Sequence, residues 1–264
     1  MPLVVDKHRA RVAICYRNYA DFKGISHIGL GVAALQNCRV LKEHGYLAEV
    51  WPITSAADLI KRLDEDRAFL GNTRHVQVTH VVISALWVET PEITTLLTRY
   101  PHIEFVVVSH SNIGFLQVEP SAIRRLREGG LMERSYNNFH IAANSHKFVT
   151  WWLATYGTPM LHLPNMYSTS NVEPSKRWTP GGRLRIGCFC AMRPYKNIIT
   201  AAAAALEIGV RLRASDLEFW ISGGRMEAGG SQTIFNSIEA LFTGVSRAKL
   251  VQNNWSSWPA FLKT

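Results

Sequence analysis

The residues of this chain best suited to chemistry are two cations that follow directly on a strand-like run. Leu184-Arg-Ile-Gly-Cys-Phe-Cys leads into Ala191-Met-Arg-Pro-Tyr-Lys-Asn, and a helical pattern begins at once. Arg193 and Lys196 thereby fall where the first N–H groups of a helix are unpaired and carry partial positive charge. Fixed cations over a helix N-terminus suit a phosphate. The next strand-like run ends similarly: Trp220-Ile-Ser is followed by Gly223, Gly224 and Arg225, paired glycines beside a cation. Solvated surface charge is the plainer reading of both stretches.

A histidine lies in a comparable position in the first half of the chain. Val107-Val108-Ser109 runs into His110, and ligands of open parallel sheets bind at the carboxyl ends of the strands. The chain has ten histidines, so position is what separates His110 from a structural one. The stretch Asn18-Tyr-Ala-Asp-Phe-Lys-Gly-Ile-Ser-His-Ile-Gly-Leu-Gly joins the first strand pattern to the first helix pattern, and Gly24 within it allows close backbone approach to an anion. Gly24, Gly29 and Gly31 do not have the dinucleotide-binding spacing, and this stretch holds no Lys-Ser or Lys-Thr as a P-loop requires. Of Cys15, Cys38, Cys188 and Cys190, only the last two are close, and no second ligand pair accompanies them. Buried, reduced thiols are expected, and no metal site.

These residues need strands and helices to place them. Strand patterns fall at Arg11–Tyr16, Ala48–Ile53, His80–Ser84, Ile103–Ser109, Asn138–Ala142 and Met160–Pro164, with helical patterns at Ser26–His44, Ala56–Leu70, Pro91–Tyr100, Ser121–Glu133 and Ser145–Tyr156 between them. In the first helix Ile28, Val32, Leu35 and Leu41 have the spacing of a buried face. Residues 171–183 concentrate Pro, Gly, Ser and charge, and the pattern then restarts: strand Leu184–Cys190, helix Ile198–Leu212, strand Leu217–Ser222, helix Gln232–Phe242, strand Ala248–Val251. Such alternation predicts an α/β protein with two Rossmann-like parallel-sheet domains, residues 1–171 and 184–264, joined by a linker at 172–183.

In this order the residues carry a family resemblance. The Gly24 loop, the strand-terminal Ser109-His110, the Leu163-Pro164-Asn165-Met166 segment, the basic turn with Lys196 and the strand ending in Gly223-Gly224 resemble the retaining glycosyltransferases of the family 4 type, which have the GT-B fold. The resemblance covers nearly the whole chain, through short motifs. It implies an acceptor-side first domain and a second domain that binds a nucleotide-sugar donor, with no required metal or cofactor. It also implies that Gly24 approaches the donor phosphates, that His110 is catalytic and meets the transferred sugar, and that Lys196 and an arginine neutralise the diphosphate. Gly223, Gly224 and Arg225 would add to the donor side.

The chain departs from the family pattern in three places. Gly24 is followed by Ile25 where the family has a second glycine, and Cys190-Ala191-Met192 replaces Gly-Arg-Leu, so Arg193 stands in for the usual arginine. The family's paired-glutamate motif would fall after Thr264. The second domain is therefore expected to be incomplete, the chain by itself inactive, and Trp255, Trp258 and Phe261 exposed enough to drive self-association.

Composition narrows the remaining classes. With 47% hydrophobic and 19% charged residues, the chain has material for large cores and is not disordered. No apolar run is long enough to span a bilayer, and Asp6, Lys7 and Arg9 interrupt any signal-peptide pattern, so the cytoplasm is the expected compartment. A net charge of +9 fits phosphate-bearing ligands or an anionic surface. Arg124 and Arg127 share one face of a helix pattern, a solvated face or a peripheral contact with anionic lipid. No nucleic-acid-binding motif accompanies the charge. The expected partners are a nucleotide-sugar donor and a glycan, lipid or small-molecule acceptor. The alternative is a non-catalytic module that binds a nucleotide or phosphosugar.

Overall fold

Alternating buried positions along short strands, separated by amphipathic helices, build two compact units, Met1–Ser170 and Asn171–Thr264. The structure, a computed structural model, describes residues 10–18, 28–68, 76–111, 113–117, 120–170, 178–192, 196–222 and 231–253. Among these residues are nine strands and seven α-helices.

The first unit runs β1 (Arg11–Arg17), α1 (Ile28–Glu43), β2 (Leu47–Ile53), α2 (Ala56–Ala68), β3 (His80–Ser84), α3 (Thr90–Arg99), β4 (Glu104–Ser109), α4 (Pro120–Met132), β5 (Phe139–Ala143), α5 (His146–Tyr156) and β6 (Leu161–His162). Its sheet has the order β2-β1-β3-β4-β5-β6, and every neighbouring pair is parallel. Alternation sends Ala13, Cys15, Val81, Ile83, Phe105, Val107, Phe139 and Ile141 into the larger core, where Leu59, Leu96 and Leu126 of the helices meet them. Ile14 and Ala48 belong to a second cluster with Ala34 and Cys38 of α1. The two clusters draw on residues of opposite strand parity, and the middles of the central strands are apolar, as a parallel sheet requires.

The expected buried face of the first helix holds at Leu41, which packs against the second cluster, and fails at Leu35. Leu35 is 58% exposed, while Ala34 and Cys38 are buried. Small residues win because α1 sits close to the sheet: a Cβ at Gly31 would come within 3.3 Å of the Tyr16 ring. The chain after β6 returns to this helix, with the Met166 amide donating to Asn37 Oδ1 at 2.6 Å and the Ser168 amide to Gln36 Oε1 at 3.2 Å. The last strand is also shorter than its sequence pattern, since pairing with β5 is confined to Leu161 and His162.

The second unit contains β7 (Leu184–Cys188), α6 (Ile198–Arg211), β8 (Leu217–Ser222), α7 (Ser231–Phe242) and β9 (Ala248–Asn253). Its strands pair in parallel in the order β7-β8-β9. Met192, Ile198, Ala202, Ala205, Phe219, Ile221, Ile238 and Phe242 form its core, and the rings of Phe219 and Phe242 stack with centroids 5.7 Å apart. Trp255, Trp258, Phe261 and the residues around Pro174 lie outside the described residues. Among the described residues no helix is long and apolar enough to cross a membrane.

Candidate functional site

Because all six strands of the first sheet are parallel, their carboxyl ends share one edge. The strand order reverses between β1 and β3, since β2 lies on one side of β1 and β3 to β6 on the other. Crevices at such reversals are where ligands of doubly wound sheets bind. Arg17 ends β1 there and Asn18 follows it, Ala85 follows β3, His110 follows β4 and Asn144 follows β5.

Ala85 has φ 74°, a left-handed conformation that costs a residue with a Cβ on the order of 1 kcal/mol. Two hydrogen bonds fix the bend: the Ala85 amide donates to Val108 O at 2.9 Å, and Trp87 Nε1 donates to Ser84 O at 3.1 Å. The Arg17 guanidinium lies 6.0 Å from the centroid of the Trp87 ring, within reach of its π face.

Next to this bend, Ser109 is fully buried at the end of β4, and its carbonyl accepts the Asn144 amide at 3.1 Å. That bond brings Asn144 beside His110. The Asn144 side-chain nitrogen lies 3.3 Å from His110 Nδ1. With the amide as donor, Nδ1 is the acceptor, and the neutral ring carries its proton on Nε2. His110 Nε2 is buried and has no hydrogen-bond partner among the described residues. Burial pushes the His110 pKa down to about 4, so the ring is neutral at neutral pH. The result is an uncharged N–H donor at a strand's carboxyl end, able to donate to an oxygen acceptor.

In the second unit, Lys196 is exposed and lies just after the first strand of its sheet. Asn197, next to it, caps α6 in a left-handed conformation with φ 53°. Its side chain makes no capping bond to the helix backbone and instead accepts from Thr200 Oγ1 at 2.7 Å. The first-turn N–H groups of this 14-residue helix are therefore not claimed by the cap side chain, and Lys196 sits one residue before it. Ser231 Oγ, at the start of α7, donates to Met192 O at 2.6 Å and ties that helix to the segment between β7 and α6.

Of the residues singled out in the sequence, His110 and Lys196 are thus described, each in its own unit. Gly24, Arg193, Gly223, Gly224 and Arg225 lie outside the described residues. Asn144 was missed, although a polar residue just after Ile141-Ala-Ala has the same signature as His110 after its strand. Ala85 had no such signal, because nothing in an alanine side chain announces a left-handed backbone. Among the described residues no cluster of three or more His, Cys, Asp or Glu could hold a metal ion.

The arginines of α4 have local partners. Arg124 pairs with Glu128 at 3.0 Å and Glu89 at 3.1 Å, and Arg125 pairs with Glu89 and donates to Leu86 O at 2.6 Å. Arg127 lies 5.9 Å from the centroid of the Tyr156 ring.

No protein-family model matches the chain, and no curated protein does. Among solved structures, that of TarM is similar over 68% of this chain, with 12% identity and a TM-score of 0.43. The matched region is 33% of the TarM chain, so this chain spans about a third of that length.

Proposed function

We propose that this chain belongs to a glycosyltransferase that moves a sugar from a nucleotide-sugar donor to an acceptor with retention of configuration. The observation that carries the proposal is His110: a half-buried, neutral imidazole at the carboxyl end of β4, with Nδ1 engaged by Asn144 and a buried Nε2 without a partner among the described residues. Buried polar atoms are rarely left unsatisfied, and a sugar hydroxyl supplies the acceptor that Nε2 lacks.

The phosphates call for the opposite chemistry. Breaking the bond between sugar and phosphate builds negative charge on the departing diphosphate, and cations already in place stabilise that charge as it develops. Lys196 beside the N-terminus of α6 supports this role. By the family resemblance, Arg193, Gly24 and the Gly223-Gly224-Arg225 turn act with it. The acceptor is a glycan, a lipid or a small molecule, and neither a metal nor an organic cofactor enters the scheme.

Thermal unfolding of the chain with a panel of nucleoside diphosphates and sugar nucleotides tests the proposal. A ligand that binds the folded state raises the midpoint as its concentration rises above its Kd. At least one sugar nucleotide should do so, and the matching nucleoside without phosphate should not. A panel with no shift at millimolar concentrations contradicts the proposal.

A further inference from the structure

The second unit holds a pair of thiols that the glycosyltransferase reading does not use. Cys188 closes β7 and Cys190 follows two positions later; both side chains pack against the apolar cluster that contains Met192 and Ile198. Two residues apart and against the same cluster, they are near enough for Cys190 to perturb the Cys188 thiol. Phe189, between them, lies against Gly187, where an added Cβ would come within 2.3 Å of the ring. Gly187 thus leaves the room that Phe189 occupies.

These thiols differ from the other two in exposure. Cys15 and Cys38 are buried, and burial pushes both thiols up, away from the reactive thiolate. Cys188 and Cys190 are only half-buried, contrary to the expectation of interior thiols. Cys188 ends a strand at the edge of the described sheet, β7-β8-β9, and Cys190 lies just past it.

From this juxtaposition we propose that Cys188 and Cys190 form a redox-active dithiol that low-molecular-weight disulfides oxidise to an intramolecular disulfide. The Cys188 thiolate attacks one sulfur of the small disulfide, forming a mixed disulfide and releasing one small thiolate. Cys190 then loses its proton and attacks Cys188 Sγ, closing the protein disulfide and expelling the second small thiolate. Two cysteine thiols are oxidised by two electrons, and one disulfide is reduced to two thiols. The influence of Cys190 outweighs burial and lowers the Cys188 thiol to about 7, which supplies the attacking thiolate near neutral pH. The chemistry requires neither a bound nucleotide nor the proposed transfer.

Exposure of the full chain to oxidised glutathione, followed by alkylation of remaining thiols, tryptic digestion and mass spectrometry, tests the proposal. The tryptic peptide Ile186–Lys196 holds both cysteines, because Pro194 protects the bond after Arg193. It should lose the mass of both thiol hydrogens and regain it with dithiothreitol, while Cys15 and Cys38 are alkylated only after unfolding. In Cys190→Ala a glutathione adduct should accumulate on Cys188 and form about tenfold more slowly, since the thiolate is no longer favoured. An unmodified wild-type peptide overturns the proposal, as does one carrying glutathione on both cysteines without a cross-link. The wild-type result decides independently of the variant's folding.

Discussion

A histidine whose ring is held neutral by burial makes His110 a reporter of its own environment. The folded-state pKa of about 4 lies below the usual value of 6.5. Above the unfolded value both states are neutral and the full contribution to stability is present. As pH falls below 6.5 the unfolded chain takes up a proton that the folded one refuses, so stability declines until the folded pKa is reached. The total loss is about 3 kcal/mol. Urea unfolding at neutral pH and near pH 4.5 should show this decline in the wild type and a flatter response in His110→Asn. Equal pH slopes would mean that the ring is solvated. At this scale His110 was legible because a polar residue at the end of an apolar strand stands out. Its neutrality was not, since it depends on burial among residues distant in sequence.

Elements were legible where periodicity and packing agree. The strands of the first sheet, from β1 to β5, follow apolar runs closely, because a parallel sheet needs them. In α1 Leu35 departs from the expected buried face, because spacing shows which residues share a face but not how near the neighbouring sheet comes. Ala34 and Cys38 fit that short distance and Leu35 does not. Close packing of α4 on β5 gives a sharper test. A Cβ at Gly129 would lie 2.7 Å from Ile141 Cγ2, whereas at Gly130 the nearest atom is Thr158 Cγ2 at 3.5 Å. Alanine gains about 1 kcal/mol of helix propensity at either position. At Gly129 overpacking against a buried, β-branched side chain costs about 1–3 kcal/mol and outweighs that gain. Chemical denaturation should therefore find Gly129→Ala destabilised and Gly130→Ala neutral or more stable. The reverse order would refute this packing.

Over the whole molecule, two compact units, Met1–Ser170 and Asn171–Thr264, follow the break in composition at residues 171–183. Lys176, Arg177 and Arg183 lie in that stretch, so brief trypsin treatment of the native chain should release a stable fragment of the first unit. Early cuts scattered through the first unit would refute its independence. The central claim at this scale is the proposed binding of a donor diphosphate by the second unit at Lys196, beside the N-terminus of α6. Calorimetric titration of the chain with the nucleoside diphosphate that stabilises it most, repeated on Lys196→Ala, tests that claim most directly. A hydrogen bond to a charged group contributes about 1.5–3 kcal/mol, so the variant should bind at least about tenfold more weakly while unfolding at the same temperature as the wild type. Equal affinity in wild type and variant, or no binding of any nucleoside diphosphate, would contradict the account.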